Sequence, residues 1–400
     1  MASTGIADRV AIVGMGCTQF GERWDSGVED LLIESHQHAL TSAGLAAADI
    51  DAYWLGTLGS GYSGMTLARA LRTENKPVTR VENYCATGSE ALRNACYAVA
   101  SGAYDVAMAV GVEKLKDSGY SGLTIGSVPG DGTDLELTAP AAFSMLVPAY
   151  RQKYGLDADE MKTVLARIAY KNHFNGARNP LAQFRKEISM DTIRNAAPIA
   201  GELGIFDCSG VSDGSAAAIV VRAEDATRYA DAPLYVKGLS LVAGNGAGTV
   251  DRGYDFTTFP EVVASAQDAY RQAGVTDPRA QLAMAEVHDC FTPTELILME
   301  DLGFAERGTA WKEVLAGTFD LQGDMPVNPD GGLKAFGHPI GASGLRMLYE
   351  CWLQLRGQAP AERAIATISA ERNLGLTHNL GGRPGECVSF VSIVGTEPSR

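Results

Sequence analysis

Cysteines are few in this chain of 400 residues, and no two of them form a Cys-x-x-Cys pair. The seven cysteines are widely spaced and odd in number, which argues against both a disulfide framework and a structural zinc site. We therefore expect no bound metal and a reducing, cytoplasmic location. In such a compartment a cysteine is either inert packing or a reactive thiol.

Basic residues are also scarce, since 33 Lys and Arg stand against 48 Asp and Glu and give a net charge of −15. An acidic surface of this kind repels phosphate backbones and anionic membranes, so neither nucleic acid nor a membrane is expected as a partner. An anionic small molecule is not excluded, because it needs only a local basic pocket.

Long apolar runs are missing as well. None approaches the roughly 18 residues that a membrane span requires, and the first apolar run, residues 10–14, has the length of a strand rather than of a signal peptide. The apolar fraction of 46% and the charged fraction of 20% are ordinary for a folded globular protein, which excludes a largely disordered chain.

Strand-like and helix-like segments alternate along the chain, and the order of these elements roughly repeats once. The length admits two or three domains, or one large duplicated domain. We interpret the pattern as a duplicated α/β unit with an N-terminal half at 1–232 and a C-terminal half at 233–400. Residues 115–212 interrupt the first half with several glycines and two helical segments. This stretch is predicted to be an inserted loop domain that shapes a binding site, or else a purely structural cap.

Apolar periodicity and turn residues place the individual elements. The predicted strands are 10–14, 52–56, 105–112, 216–222, 234–242, 283–288, 364–369 and 388–394. The predicted helices are 28–43, 88–101, 141–154, 158–175, 259–273, 292–302 and 339–356. An exposed loop is predicted at 191–198.

The first candidate for chemistry is Cys85, which follows an extended run, 78–84, and precedes small residues that open a helix. A thiol at or just before a helix N-terminus meets free N–H groups and the positive end of the helix dipole, which stabilise a thiolate. The small neighbours would let a substrate carbonyl approach and let backbone amides point at a developing oxyanion. Taken alone, the segment fits a buried packing cysteine equally well.

The second candidate is His338 in the glycine-rich segment 331–344. Pro339 suits the first turn of a helix, so His338 is predicted at the cap position of that helix. There the positive helix end would favour the neutral imidazole, which suits a base that takes the proton of a thiol. The alternative is a histidine that only caps the helix.

The third candidate is the sequence His-Asp-Cys-Phe at 288–291, where a predicted buried strand ends. His288 and Cys290 are two residues apart and would point to the same face, so one could donate a hydrogen bond while the other moves a proton. Strand-end packing is the alternative. A His–Cys pair could also bind a metal, but two ligands without a second pair form a weak metal signal.

The fourth segment, 377–382, reads Thr-His-Asn-Leu-Gly-Gly and predicts a glycine-rich turn before the final strand. On its own it fits an ordinary turn as well as a functional loop.

Together these segments resemble the thiolase superfamily, and most closely the thiolases of the sterol-carrier-protein type, over essentially the whole chain. Cys85 lies where the family has its nucleophile, although Thr87 stands where the family's Cys-x-Ser-like loop has serine. Residues 337–339 match the family's Gly-His-Pro loop. Residues 288–291 match the sterol-carrier type, where many thiolases have Asn-Glu-Ala-Phe.

One departure bears on the catalytic residues. Many thiolases carry a second catalytic cysteine in a C-terminal Cys-x-Gly loop, but residues 379–381 of this chain read Asn-Leu-Gly. The resemblance implies that Cys290 has taken over the role of that cysteine. It also implies that the backbone N–H groups of Cys85 and Gly381 hold an oxyanion, with His378 and Asn379 in the surrounding shell.

The resemblance implies an α/β class with a thiolase-like duplicated fold. Its layers are α-β-α-β-α, with two mixed five-stranded sheets around the central helices 88–101 and 339–356. It further implies a homodimer or a dimer of dimers.

The implied activity uses coenzyme A thioesters as substrates and needs no tightly bound cofactor. The enzyme would cleave a 3-oxoacyl-CoA, or condense an acyl-CoA with acetyl-CoA, through an acyl group on Cys85. His338 would take the thiol proton, His288 and His338 would bind the enolate oxygen, and Cys290 would protonate the enolate carbon. Nucleophilic attack at one carbon and proton transfer at the next require separate groups.

Two alternatives stay open. One is an acyltransferase or retro-aldolase on the same scaffold that works with a small CoA-binding companion of the zinc-ribbon/OB-fold type. The other is a non-catalytic acyl-CoA or lipid-binding module. An enzyme is favoured over this binding module. In the resembling proteins the sterol-carrier domain is usually a C-terminal extension, whereas this chain ends shortly after its last predicted strand.

Overall fold

One continuous mixed sheet of nine strands runs through the protein. The computed structural model describes residues 5–118, 124–128 and 135–398. In chain order the strands are β1 (Val10–Cys17), β2 (Ala52–Gly56), β3 (Val78–Val81), β4 (Val106–Glu113), β5 (Thr124–Val128), β6 (Leu135–Thr138), β7 (Pro198–Ala200), β8 (Leu203–Gly204), β9 (Gly214–Arg222), β10 (Leu234–Ala243), β11 (Leu282–Glu286), β12 (Leu374–Arg383) and β13 (Glu386–Gly395).

The helices of the described residues alternate with these strands. They are α1 (Val28–Ala43), α2 (Met65–Leu71), α3 (Thr87–Ala100), α4 (Ala139–Phe143), α5 (Leu146–Tyr154), α6 (Ala158–Gly176), α7 (Met190–Arg194), α8 (Pro260–Ala273), α9 (Pro278–Gln281), α10 (Thr292–Asp301), α11 (Ala310–Ala316), α12 (Gly332–Phe336) and α13 (Ser343–Leu355). Each of them is too short or too polar to cross a membrane.

The strand order β11-β12-β13-β10-β1-β9-β4-β2-β3 keeps the strands of the two predicted halves apart. β1 and β10 pair antiparallel at the junction, with Ala11 opposite Tyr235, and make the sheet continuous. The α/β class is confirmed, but two separate five-stranded sheets are not found. The segment predicted as a further strand, 364–369, is irregular, because its Ile365 N–H donates to the Gln354 side chain rather than to a neighbouring strand.

Helices pack on both faces of the sheet. α1 covers the outer face of β1 and β9, α8 covers that of β10 and β13, and α3 and α13 lie together on the inner face. Leu92 of α3 and Trp352 of α13 belong to one buried apolar cluster, and burying side chains of this kind contributes roughly 1.5–3 kcal/mol each. The central helices approach each other closely at a glycine: a Cβ on Gly344 of α13 would lie 2.7 Å from the backbone nitrogen of Ser89 in α3.

Two predicted boundaries near the candidate site are wrong. The last central helix begins at Ser343 rather than at Pro339, because the Gly341 N–H is bound at 3.0 Å by the buried carboxylate of Glu113 and the chain turns there. His338 is therefore not a cap residue. The predicted glycine-rich turn at 377–382 lies inside strand β12, which pairs with β13 along its whole length.

The predicted insertion, 115–212, contains β5 to β8 and α4 to α7. The helix predicted at 141–154 is divided into α4 and α5, and α7 extends to Arg194 into the exposed loop predicted at 191–198. The glycine-rich stretches 119–123 and 129–134 of the predicted insertion lie outside the described residues. α6 packs against α10 and α12, so the insertion reaches the second half beside His338.

Candidate active site

Cys85 lies in a tight loop between β3 and α3, one residue before the N-cap Ala86, as the sequence predicts. Thr87 ties this loop together: its hydroxyl donates to the Tyr84 carbonyl at 2.5 Å and accepts from the Asn83 N–H at 2.9 Å. Tyr84 has a φ of +48°, an uncommon conformation for a residue with a side chain. Such a conformation persists only where the surroundings fix it, so the half-buried Cys85 is held in one place.

His338 lies in a turn that its neighbours orient. Gly337 has a φ of +116°, and a Cβ there would lie 2.5 Å from Ser212 Oγ, so only glycine fits. His338 Nδ1 is 2.7 Å from Ser343 Oγ, and the Ser343 hydroxyl donates to the Pro339 carbonyl at 3.0 Å. The serine oxygen therefore accepts from Nδ1–H, which leaves Nε2 with a lone pair. No described residue bonds to that Nε2.

His288 has the opposite arrangement. The Ser89 hydroxyl donates to Asn379 Oδ1 at 2.5 Å, so the Asn379 amide nitrogen faces His288 Nδ1, at 3.4 Å. His288 Nδ1 accepts this hydrogen bond, and its Nε2 therefore carries the proton. One histidine of the site thus offers a base and the other offers a donor.

These two rings and the thiol meet in one place. Cys85 Sγ and one ring nitrogen from each of His288 and His338 lie within 4.8 Å of one another. The two rings are edge to face, with centroids 5.4 Å apart. Two imidazoles and a thiol are also ligand types that zinc prefers, so the expectation that the site holds no metal stays a prediction.

Burial sets the protonation states. It lowers the pKa of His338 to about 3, assisted by the positive charge of Arg346, and it holds the pKa of His288 well below its usual range. Burial and the negative charge of Glu113 raise the pKa of Cys85 to about 12. The resting site is a neutral thiol beside neutral imidazoles. Burial therefore outweighs the predicted helix-end stabilisation of a Cys85 thiolate.

β11 ends at Glu286, so the predicted strand end at 288 is wrong, and His288 and Cys290 lie in the loop that leads to α10. Cys290 is buried two residues after His288, outside the group of three atoms. Its Sγ is 4.0 Å from Thr294 Oγ1. Burial raises the pKa of Cys290 well above its usual range, and a charge on Cys85 would raise it further, so the two thiols share one electrostatic environment. A thiol that stays protonated at neutral pH can donate a proton to a carbanion.

β12 contributes alternate residues to the site. Gly381 lies against the Cys85 loop, because a Cβ there would be 3.2 Å from the Cys85 backbone nitrogen. Asn379, two residues earlier, shares that face and contacts His288. His378 points to the opposite face, where its Nε2 lies 3.3 Å from Ser389 Oγ. The structure therefore does not bring His378 into this group, and burial lowers the pKa of His378 to about 3, so its ring is neutral at neutral pH.

Sequence reasoning missed two supporting residues. Ser343 orients His338, but a serine at the start of a helix predicts only a cap. Glu113 ends the otherwise apolar β4, and its carboxylate accepts the N–H groups of Gly59 at 2.9 Å and Gly341 at 3.0 Å. A single acidic residue at the end of a buried strand was the available signal.

A cavity of about 870 Å³ opens beside His338. Most of its wall comes from the predicted insertion, between residues 183 and 211, which supports the expectation that the insertion shapes a binding site. Its volume lies in the range of roughly 300–1,000 Å³ that small-molecule pockets have. Lys116, Arg185 and Lys186 are in its lining and place positive charge beside it in an acidic chain.

Comparison with protein families matches both halves of the chain. Residues 10–224 match the family described as thiolase, N-terminal domain. Residues 246–392 match the family described as thiolase C-terminal domain-like.

Individual proteins resemble the chain over nearly its whole length. An acetyl-CoA acetyltransferase of Methanothermobacter thermautotrophicus is 35% identical over 390 residues, which cover 96% of this chain and 98% of that protein. Sterol carrier protein 2 of Gallus gallus is 31% identical over 397 residues, which cover 93% of this chain and 70% of that protein. The structure of the Ltp2-ChsH2(DUF35) aldolase has a TM-score of 0.81 at 24% identity, covering 99% of this chain and 100% of that one, and this likeness concerns the fold.

Proposed function

The chain belongs to the thiolase family and is an acyltransferase enzyme, and we propose that it cleaves 3-oxoacyl-CoA thioesters, or condenses acyl-CoA with acetyl-CoA, through an acyl group on Cys85. The observation that carries this proposal is the meeting of the Cys85 thiol with His288 and His338 within 4.8 Å. An enzymatic function removes the non-catalytic lipid-binding module from the alternatives.

In the cleavage direction, the sulfur of Cys85 attacks the keto carbon while His338 Nε2 takes the thiol proton. His338 is suited to this because its pKa of about 3 keeps Nε2 unprotonated at neutral pH. The carbonyl oxygen becomes an oxyanion beside the backbone N–H of Cys85, and the closely apposed Gly381 is proposed to supply a second backbone donor.

Breaking the carbon–carbon bond leaves the acyl group on Cys85 and releases an acyl-CoA enolate. His288 Nε2–H donates to the enolate oxygen, and Cys290 gives its proton to the enolate carbon. The thiol of a second CoA then gives its proton to the Cys290 thiolate and attacks the acyl group on Cys85. The new thioester leaves, and the proton held on His338 Nε2 returns to the Cys85 sulfur, which restores the resting site. Condensation follows the same steps in reverse.

Dependence on free CoA tests this proposal directly. We expect the purified protein to consume acetoacetyl-CoA continuously only when free CoA is present, because the acyl group must leave Cys85 at each turnover. Continuous consumption without free CoA would indicate hydrolysis or another cleavage chemistry.

We further propose that CoA enters through the cavity with its phosphates near Arg185 and Lys186, which are exposed and belong to the cavity lining. Replacing both by glutamate should raise the KM for acetoacetyl-CoA by roughly tenfold, since charge-assisted contacts to phosphate are lost, while kcat changes little. Steady-state kinetics at two salt concentrations measure this. Lys312→Glu, an exposed charge reversal on α11 away from the cavity, is the matched control. A double variant with the control's KM would place the CoA phosphates elsewhere.

His288 gives a sharper test of the site. His288→Ala should lower turnover by roughly a hundredfold or more, the usual cost of losing an oxyanion donor, and His288→Asn should recover part of the loss because an amide also donates. Steady-state rates of the three proteins, with folding checked by thermal melting, measure this. Equal and severe losses in both variants would favour proton transfer by His288, and near wild-type rates in both would make it a packing residue.

A retro-aldolase that works with a small companion is the second candidate. The fold likeness to the Ltp2-ChsH2(DUF35) aldolase, at a TM-score of 0.81, favours it. Retro-aldol cleavage passes through no acyl-enzyme, however. It would therefore need neither Cys85 as a nucleophile nor His338 as the base that deprotonates it. We therefore place thiolysis first.

We also propose a homodimer, or a dimer of dimers, formed through the edge of the first half. Tyr62 and Met65 are strongly exposed close to the edge strand β3, and large exposed apolar side chains of this kind are typical of an interface. Light scattering of the purified protein measures the oligomeric state.

A further inference from the structure

A buried lysine in the cavity wall plays no part in the chemistry proposed above. Lys334 lies on α12, four residues before His338, and is only 2% exposed. It lines the same cavity as His338. In the part of the chain that the structure describes, its Nζ forms neither a hydrogen bond nor an ion pair.

Lys334 differs in this respect from the other buried lysines. Four lysines of the described residues are buried. Lys114 pairs with Asp213 at 2.8 Å, Lys171 with Glu295 at 2.8 Å, and Lys237 with Asp8 at 2.6 Å. A buried ammonium group without a partner is costly, and this cost lowers the pKa of Lys334 to about 8.

The nearest acidic groups are bound to other partners. The Asp289 carboxylate accepts the backbone N–H groups of Leu333 at 2.6 Å and of Lys334 at 3.1 Å, so it holds the start of α12 rather than Nζ. The Asp207 carboxylate accepts from the Thr292 hydroxyl at 2.6 Å and from a backbone N–H at 2.8 Å. The three N–H donors of Lys334 remain available to a ligand in the cavity.

A second unsatisfied group lines the same cavity. His173 on α6 is 2% exposed, and among the described residues neither of its ring nitrogens has a hydrogen-bond partner. Its ring contacts Phe184 and Phe206, with centroids 5.9 Å away in each case. Burial and the charge of Lys334 lower the pKa of His173 to about 3, so its neutral ring still offers one N–H. Two buried polar groups therefore face a cavity with largely apolar walls.

We propose that Lys334 and His173 form a subsite that binds a carboxylate at the far end of the substrate's acyl chain. This inference rests on the proposed function and names a substrate class for it: 3-oxoacyl-CoA thioesters that end in a carboxylate. The apolar walls would enclose the methylene groups between the reacting carbon and that carboxylate.

The position of Lys334 distinguishes the acyl end of the substrate from its nucleotide end. Four residues span at most about 14 Å even when extended, so Lys334 lies near His338 and the reacting carbon. The phosphates of CoA are separated from the thioester by the whole pantetheine arm. The exposed Arg185 and Lys186 of the cavity lining are better placed for those phosphates.

The test compares two 3-oxoacyl-CoA substrates of six acyl carbons, one ending in a carboxylate and the other in a methyl group. We expect the wild-type protein to prefer the carboxylate by about tenfold or more in kcat/KM, the range of a charge-assisted hydrogen bond. Lys334→Met should remove most of that preference. Lys312→Met, the same change at an exposed position on α11, should keep it.

Each outcome separates the subsite from the overall reaction. If the wild-type protein cleaves both substrates equally, or prefers the methyl-ended one, the proposed carboxylate subsite is overturned, while the proposed thiolase activity is unaffected. Retention of the carboxylate preference in Lys334→Met would also overturn it. A Lys334→Met protein that fails to fold is replaced by Lys334→Gln, and the wild-type comparison needs no variant.

Binding provides a readout that does not depend on cleavage. The saturated six-carbon thioesters lack the 3-oxo group and can be compared by calorimetry in the wild-type protein. Tighter binding of the carboxylate-ended thioester, lost in Lys334→Met, would support the subsite even if neither 3-oxo substrate were cleaved. Equal binding of the two saturated thioesters would overturn it.

Discussion

Replacing Cys85 by alanine should lower thiolysis of acetoacetyl-CoA by on the order of 10⁴-fold or more, because removing a covalent nucleophile removes the whole acyl-transfer pathway. Cys85→Ser should lose nearly as much, since a hydroxyl is harder to deprotonate than a thiol. Steady-state rates with a thermal melt for each variant measure both effects.

Chemical labelling gives the control for this prediction. Cys85 and Cys208 are the half-buried cysteines of the chain, and the other five are buried. We expect acetyl-CoA to acetylate Cys85 and to protect it from iodoacetamide, while Cys208 is not acetylated. Acetylation of Cys208 with an unlabelled Cys85, or a Cys85→Ala protein that keeps substantial activity, would remove Cys85 as the nucleophile.

Replacing Cys290 by alanine should block enolate chemistry and leave acyl transfer to Cys85 intact. Loss of a positioned proton donor costs roughly 10²–10⁴-fold, and residues 379–381 offer no cysteine as a substitute. The assay is deuterium exchange into the methyl group of acetyl-CoA, compared with formation of the acetyl-enzyme in the same protein.

A serine at position 290 serves as the matched variant, since it keeps the size and a hydroxyl proton with a higher pKa. We expect Cys290→Ser to exchange deuterium more slowly than wild type and no slower than Cys290→Ala. A wild-type rate of deuterium exchange in Cys290→Ala would show that Cys290 only packs in the core and is not the proton donor. Loss of acetyl-enzyme formation together with exchange would mean that the substitution distorts the site as a whole.

The chemistry-bearing positions could be predicted from local pattern. A strand that runs into Cys85 and then into small residues predicts a thiol before a helix, and the structure places it one residue before the N-cap of α3. The segment 288–291, just after the buried strand β11, and the glycine-rich segment around His338 could be identified in the same way. That these segments lie close together in the fold could be predicted only from the family resemblance, because sequence spacing does not show which loops of the two halves are in contact.

The rest depended on long-range contacts. Pro339 favours a helix start locally, but Glu113, far away in the chain, binds the Gly341 N–H and delays the helix to Ser343. A helix-end thiolate was likewise a local prediction that burial of Cys85 outweighs. The tautomers of the two histidines rest on Ser343 and on the distant Asn379, which no local pattern pairs with them.

The cavity could be anticipated only in outline. An insertion in an α/β scaffold predicts a binding function, but the unpartnered state of Lys334 appears only when its neighbours are known. In the sequence it is one lysine in a glycine-rich segment. The pairing of Lys114, Lys171 and Lys237 with acidic residues is what makes its isolation informative.

The most direct test of the central claim is a rapid-quench mass measurement on the wild-type protein alone. Mixed with acetoacetyl-CoA and no free CoA, the protein should release one equivalent of acetyl-CoA and gain one acetyl group, and peptide mapping should place that group on Cys85. Added CoA should remove it and yield a second acetyl-CoA. Cleavage without any protein-bound acetyl group, or an acetyl group on a residue other than Cys85, would contradict the account.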